Sequence, residues 1–392
     1  MKIFLMITAT ILLVIIGLTL ISVGFLFNQK ARRKIRISIL IVDLILIATV
    51  VIGMMNRNLF SDELIEIFVD VMSVIFISQM ICVVIVMLAL IVRSIYRFFN
   101  KPAPFSRERR SMLAYGLFYP IFSLVTAIYA NQVERNNEVE NFFDIKIKNL
   151  PPELDGFKLA QISDIHLGAF FSLDRLEKLL TRIVEAKPDI LAITGDIFDS
   201  VEMNDEAIKL VDSFYDKFKF GIVYCHGNHE HRRDIQAIEK SLSQTKIHYL
   251  INSAFYILHS KLYFVGVDYP IGVPTIQART ENEQKNFDQR REEFLTKAME
   301  NVPKDSICIL LAHHPEFIDD AIKFKIPLTL TGHTHGSQIG FFGVPLFPVF
   351  KYTRGMFING DCYGYVHCGN GSWFPFRLGC PPEIAYFTLH NK

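Results

Sequence analysis

The chain has 392 residues, 51% of them hydrophobic, and a formal net charge of +1. Its mean hydropathy of +0.28 is too apolar for an average soluble protein of this length. The charge balance gives no specific indication of a nucleic-acid partner, and six cysteines are far too few for a disulfide scaffold.

The apolar excess lies in the first third, which predicts a membrane part followed by a soluble part. Residues 3–27 carry no charge and are long enough to span a hydrocarbon core. A cleaved signal peptide fits poorly, because the run is too long and no small-residue cleavage site comes after it. Further spans are predicted over 35–55, 71–92 and 113–130, making a four-helix region over 1–132. Lys30, Arg32, Arg33 and Lys34 come after the first span, and Arg93, Arg97, Lys101, Arg107, Arg109 and Arg110 after the third. The loop between the second and third spans is acidic, with Asp62, Glu63 and Glu66. This asymmetry places the basic loops in the cytoplasm. Four spans would then leave the remaining chain outside it, on a multi-pass cell-membrane protein. Asp43 and Asp70 lie in or beside the spans and read as helix-packing or interfacial groups.

Residues 133–154 read as a linker and 155–392 as the soluble domain. Strands are predicted at 157–163, 189–194, 221–225, 261–267, 306–312 and 326–330. Helices are predicted between them at 172–187, 204–218, 231–243, 283–300 and 316–323. Ser172 is positioned to cap the first, and Leu173, Leu176, Leu179 and Leu180 recur at helical spacing. This alternation implies a largely parallel α/β sheet covered by helices. The runs "GYVHCG" and "EIAYFTLH" read as closing strands of a second sheet.

The residues directly after the strands carry the chemistry. After the first comes Asp164-Ile165-His166, after the second Gly195-Asp196, and after the third Gly227-Asn228-His229-Glu230. His313-His314 and Gly332-His333-Thr334-His335 come after two later strands. One such pair would be noise. Stacking carboxylates and imidazoles at one sheet edge without a counter-ion would be costly. Aspartate, asparagine and histidine without cysteine suit two divalent ions, Mn, Fe or Zn. Asp196 is placed to bridge them.

The order D-x-H, G-D, G-N-H-E, H, G-H-x-H resembles the calcineurin-like metallophosphoesterase superfamily, across about residues 155–390. The stretch "HTHGSQI" and the tail "GNGSWFPFRLGCPPEI" are similar to its membrane-anchored branch. The resemblance implies a four-layer α/β/β/α sandwich. It implies Asp164, His166 and His335 at one metal, Asn228, His313 and His333 at the other, and Asp196 between them. It implies that His229 donates a proton to the leaving group or stabilises the transition state, and that Glu230 orients it, where aspartate is more usual. It implies hydrolysis of a phosphate ester or pyrophosphate bond by a metal-bound hydroxide. Tethering points to a phosphorylated small molecule or a lipid-linked or envelope substrate beside the bilayer. Some relatives cleave UDP-diacylglucosamine, a cytoplasmic reaction that the expected topology argues against. The alternatives are a non-catalytic membrane-tethered metal- or phosphate-binding or sensory protein, which predicts damaged ligands, and a transporter with an accessory domain, which needs paired polar groups in the spans.

Other residues carry two readings each. His226 either touches substrate or is a solvated loop histidine. Arg377 meets a phosphate or pairs with Glu383. Phe170 and Phe171 line an apolar site or fill the core. Trp373, Phe374 and Phe376 pack under the second sheet or rest at a membrane surface. Cys362, Cys368 and Cys380 include one disulfide or are free thiols. Residues 269–285 form part of a lid or are solvated.

Overall fold

The computed structural model describes residues 2–27, 29–55, 62–99, 118–168, 170–257, 260–272, 280–341, 343–372 and 374–392. The chain divides into two compact units, Met1–Val133 and Glu134–Lys392.

The first unit contains α1 (Lys2–Leu26), α2 (Gln29–Met55), α3 (Asp62–Phe99) and α4 (Phe118–Ile128). Among the described residues, two stretches are long and apolar enough to cross a membrane, Gln29–Ile52 and Ile67–Tyr96; Thr10–Leu26 is a shorter apolar helix. The expected count of four spans is therefore supported for the second and third only. The fourth is an 11-residue helix as described, and residues 113–117 lie outside the described residues. So do Lys101, Arg107, Arg109 and Arg110 of the basic loop. Asp43 is not isolated. It accepts a hydrogen bond from Gln79 Nε2 at 2.8 Å, and Thr19 Oγ1 lies 3.4 Å from Gln79 Oε1. This polar relay ties α1, α2 and α3 together, a packing role of the kind that small polar groups play between apolar helices.

The second unit begins at once with a strand. β1 (Val139–Ile147) lies inside the segment expected to be a linker and pairs in parallel with the C-terminal strand. Then come β2 (Lys158–Ile162), α5 (Leu173–Glu185), β3 (Ile190–Thr194), α6 (Asn204–Ser213), β4 (Ile222–Cys225), α7 (Ile235–Leu242) and β5 (His248–Tyr249). The chain continues with β6 (Ser253–Tyr256), β7 (Leu262–Gly266), α8 (Glu281–Met299), β8 (Ile307–Leu311), α9 (Phe317–Phe324) and β9 (Leu328–Thr331). It closes with a short hairpin of β10 (Gly340–Phe341) and β11 (Val344–Pro345), then β12 (Gly355–Asn359), β13 (Cys362–Val366) and β14 (Glu383–Asn391).

Local signals explain the elements. Ser172 caps α5 by accepting from the Arg175 N–H, and Leu176, Leu179, Leu180 and Ile183 form its buried stripe. Thr280 and Glu283 form a reciprocal capping box at the start of α8. Ile190–Thr194 is buried at every position, as expected for a parallel strand covered on both faces.

Two six-stranded sheets result, ordered β1-β14-β2-β3-β4-β5 and β12-β13-β9-β8-β7-β6. Both are mixed, and β14 belongs to the first sheet rather than the second, where it runs antiparallel to β2. Leu159, Ala192, Val223 and Phe387 of the first sheet pack against Phe264, Ile309, Leu330 and Tyr365 of the second. α5, α6 and α7 cover the outer face of the first sheet, and α8 and α9 that of the second. The fold is a four-layer α/β/β/α sandwich, with each sheet covered by helices on one face only. At one end of the seam Gln161 Nε2 donates across the sheets to the Thr331 carbonyl at 3.0 Å. There the carboxyl ends of β2, β3 and β4 meet those of β7, β8 and β9. All the cysteines are free.

Candidate metal centre

The loops leaving these strands bring together the side chains singled out in the sequence. Asp164, His166 and His335 form one cluster, and Asp196, His313 and His333 another. In the first, His166 Nε2 is 3.0 Å from His335 Nε2, and His335 Nε2 is 3.5 Å from Asp164 Oδ1. In the second, His313 Nε2 is 3.1 Å from Asp196 Oδ2 and 3.2 Å from His333 Nδ1. Asp196 Oδ2 is also 3.7 Å from His166 Nε2, so one carboxylate oxygen faces both clusters. Asn228 is buried and its Oδ1 has no hydrogen-bond partner, although its desolvation would normally demand one.

This donor set fits divalent cations. Ligands about 2.0–2.2 Å from a tetrahedral ion stand roughly 3.3–3.6 Å apart, close to the spacings of 3.0–3.5 Å given above for both clusters. The residues that would hold the ions are those named above, with Asn228 supplying its orphaned oxygen.

The backbone is arranged at some cost. Asp164, His166, Asp196, His333 and His335 all have positive φ, between 50° and 74°. Such conformations cost of order 1–3 kcal/mol each and persist where the surroundings enforce them. Gly332 is required by close approach rather than by a left-handed turn. Its φ is not positive; a Cβ there would strike the Ser163 hydroxyl and the Asp164 carboxylate. Gly227 is bare for the same reason, against Asp196.

The imidazoles are oriented from behind. His313 Nδ1 donates to the Thr194 carbonyl at 2.7 Å. His333 Nε2 lies 3.3 Å from the Tyr269 hydroxyl. His166 Nδ1 is 3.1 Å from Asp199 Oδ2, and the other oxygen of the same carboxylate is hydrogen-bonded to His229 Nδ1. Arg233 secures Asp199 through its carbonyl at 2.8 Å and its carboxylate at 3.2 Å. Fixing the far nitrogen of a ligating imidazole sets its tautomer and aim.

Here the structure corrects the role expected of Glu230. Its carboxylate accepts the backbone N–H groups of Asp196 at 3.0 Å, Ile197 at 2.8 Å and Gly227 at 2.8 Å. It clamps two ligand loops together, and the carboxylate beside the His229 ring belongs to Asp199. Only a faint signal pointed there, an acid three positions after Asp196. His229 Nε2 faces the centre, 4.0 Å from Asp196 Oδ2.

The electrostatics divide the histidines. Burial works against a charge on His313, but the carboxylates of Asp196 and Asp164 outweigh it and push the imidazole up to about 10. Burial, with the charge of His313, holds His333 well below the ordinary histidine range; burial, with His166, does the same for His335. Burial opposes the charge of Asp199, yet His166 and His229 keep its carboxyl below the usual range.

The other residues at and around the site now find their places. His314 is buried behind the site, its ring 4.8 Å from that of Phe287. Arg377 is fully buried, and its guanidinium bonds backbone carbonyls rather than Glu383. It donates to the carbonyls of Cys368 at 2.8 Å and Cys380 at 3.0 Å and lies 3.5 Å from His335 Nδ1. Phe171 is core. His226 is fully buried, not solvated. Trp373 and residues 273–279 lie outside the described residues.

A cleft of about 500 Å³ opens over the clusters. His229, His333 and Arg232 line its polar side, and Ile339, Phe347, Val349, Phe350, Phe374 and Phe376 the other.

Residues 157–337 match the family model described as calcineurin-like phosphoesterase. An uncharacterized metallophosphoesterase of Bacillus subtilis is 29% identical over 276 residues, 67% of this chain and 89% of that one. One of Helicobacter pylori is 29% identical over 63% of this chain and 64% of its own length, less than two thirds of that relative. A zebrafish protein named as a transmembrane protein with a metallophosphoesterase domain is 26% identical over 72% of this chain and 66% of its own.

Proposed function

From a chain that belongs to the calcineurin-like metallophosphoesterase family, we propose a hydrolase that uses two divalent cations to cleave a phosphate ester or pyrophosphate bond in an amphiphilic, lipid-linked or envelope substrate. The observation that carries this reading is the position of Asp196 Oδ2, within 3.7 Å of ligand nitrogens of both clusters. When bound, a pair of such ions clamps the phosphoryl oxygens, neutralises developing charge and lowers the pKa of a water to supply the nucleophile.

The chain's own residues do the rest. Asp164, His166 and His335 would hold one ion, Asn228, His313 and His333 the other, with Asp196 shared. His229, fixed at Nδ1 by Asp199, presents Nε2–H to the leaving-group oxygen and gives it a proton. Arg232 on the cleft wall supplies a cation for the phosphate or its neighbour. A non-catalytic binding protein would tolerate damage to these clusters, and both are complete.

The apolar wall supports the substrate class. Phe347, Val349 and Leu346 are exposed large hydrophobics on and beside the lip of the cleft, and Phe341 and Val344 of the β10–β11 hairpin join them. A contiguous exposed apolar patch beside a polar centre suits a ligand with a phosphate head and an apolar tail. Hydrolysis of a series of phosphodiesters with lengthening acyl chains tests it: kcat/KM should rise with chain length, and a flat profile contradicts it. The basic residues after α1 and the acidic residues at the start of α3, together with a fourth crossing through residues 113–130, would put the domain outside the cytoplasm. An alkaline phosphatase fusion after Val133 should be active; an inactive fusion reverses the orientation.

A further inference from the structure

Beyond the paired clusters lies a third group of potential ligands. His226, His231 and Asp268 each direct a donor atom into one spot, all within 4.8 Å of one another. None of them belongs to the paired clusters, and none lines the cleft. His231 Nε2 is 2.8 Å from Asp268 Oδ1, and His226 Nδ1 is 3.5 Å from the same oxygen.

His226 is what singles this group out. It is fully buried, and neither ring nitrogen has a hydrogen-bond partner. Its contact with Asp268 is too long to be a good hydrogen bond. An imidazole buried with both nitrogens idle loses hydration with nothing in return, a penalty of about 1–3 kcal/mol for each unsatisfied group. A triad built only to pin the loop would use that ring. A lone pair aimed at a carboxylate and a second imidazole is instead what a cation requires.

We propose that His226, His231 and Asp268 form a third, mononuclear site for a divalent cation of the zinc class. Two imidazoles and one carboxylate without thiolate suit Zn²⁺, with a fourth position left for water. The spacings of 2.8 and 3.5 Å bracket the roughly 3.3 Å edge of a tetrahedral zinc site. The supporting groups are present: Asp268 Oδ1 accepts the Tyr269 N–H at 2.8 Å, and the Asp268 N–H donates to Asn252 Oδ1 at 3.0 Å. The side chains of His231 and Asp268 are 20% and 18% exposed, which gives the ion a way in.

The placement gives the ion a positioning role. His226 and His231 bracket Asn228 and His229 in the chain, and Asp268 precedes Tyr269, whose hydroxyl meets His333. An ion on these three residues ties the loop bearing Asn228 and His229 to the end of β7.

This third site stands apart from the hydrolytic reading, and its test reads metal rather than turnover. The full chain is purified in detergent, stripped with chelator, loaded with excess Zn²⁺, desalted and analysed for zinc per chain. Wild type should hold three ions, and the near-isosteric Asp268→Asn and His231→Gln variants two. Wild type holding only two, or either variant keeping the wild-type number, overturns the site. The wild-type count decides by itself should a variant fail to fold. Loss of activity with three ions bound would count against the hydrolase and not against this site.

Discussion

Nδ1 of His229 is hydrogen-bonded to Oδ1 of Asp199. Because Oδ2 of that carboxylate also meets His166 Nδ1 at 3.1 Å, one side chain aims both a candidate ligand and the candidate proton donor. Asp199→Asn keeps the size and removes one acceptor. It should lower kcat/KM by about 10–100-fold, the usual effect of losing such a supporting group, with most of the loss in kcat. Steady-state kinetics on a soluble phosphodiester checks this; an unchanged kcat contradicts it.

Glu230→Gln should behave differently. Three backbone N–H groups converge on its carboxylate, and an amide would turn a donor toward one of them. The expected cost is about 1–3 kcal/mol, read as a melting temperature several degrees lower, with a smaller change in kcat than Asp199→Asn produces. A larger loss of kcat than for Asp199→Asn would restore the orienting role to Glu230.

Metal binding should release protons. In the metal-free chain His313 is pushed up to about 10, so it is protonated at pH 8, whereas His333 and His335 are already neutral. Ligation needs the neutral ring, so the proton on His313 must leave. Affinity should therefore rise with pH up to about 10 and fall as the solution is acidified. Calorimetric titration in two buffers of different ionisation enthalpy should show about one proton released per chain, with a further fraction from His166, whose imidazole Asp199 and Asp196 raise against burial. No release at pH 8 contradicts this.

Phe347→Ser removes an exposed apolar side chain from the cleft wall. A half-covered phenyl group contributes roughly 1–1.5 kcal/mol to binding an apolar tail, so KM for a long-chain substrate should rise about tenfold. Values for bis-p-nitrophenyl phosphate should not move. Equal effects on both substrates would remove the support for an amphiphile.

Much of the site was legible in the sequence because each ligand comes directly after a strand whose buried run is unmistakable, as Ile190–Thr194 precedes Gly195-Asp196. The pairing of His166 with His335, or of His313 with His333, was reached through resemblance, since residues 169 and 20 positions apart, respectively, meet only through the fold. β1 was hidden because its register depends on β14, more than two hundred residues later, and its exposed face breaks the apolar run with Glu140 and Asp144. Asp199 was missed because its partners are side chains from other loops. Gly332 shows a further limit: a sequence signals that a glycine is needed, but not whether φ or close approach demands it.

The shared position of Asp196 is the centre of the account. The most direct test is hydrolysis of bis-p-nitrophenyl phosphate by the full chain in detergent, stripped and reloaded with Mn²⁺, compared with Asp196→Ala and His229→Ala. Wild type should be active only when reloaded. Asp196→Ala should lose at least about a thousandfold together with bound metal, and His229→Ala about 10²–10⁴-fold with metal retained. Activity that survives Asp196→Ala would contradict the account.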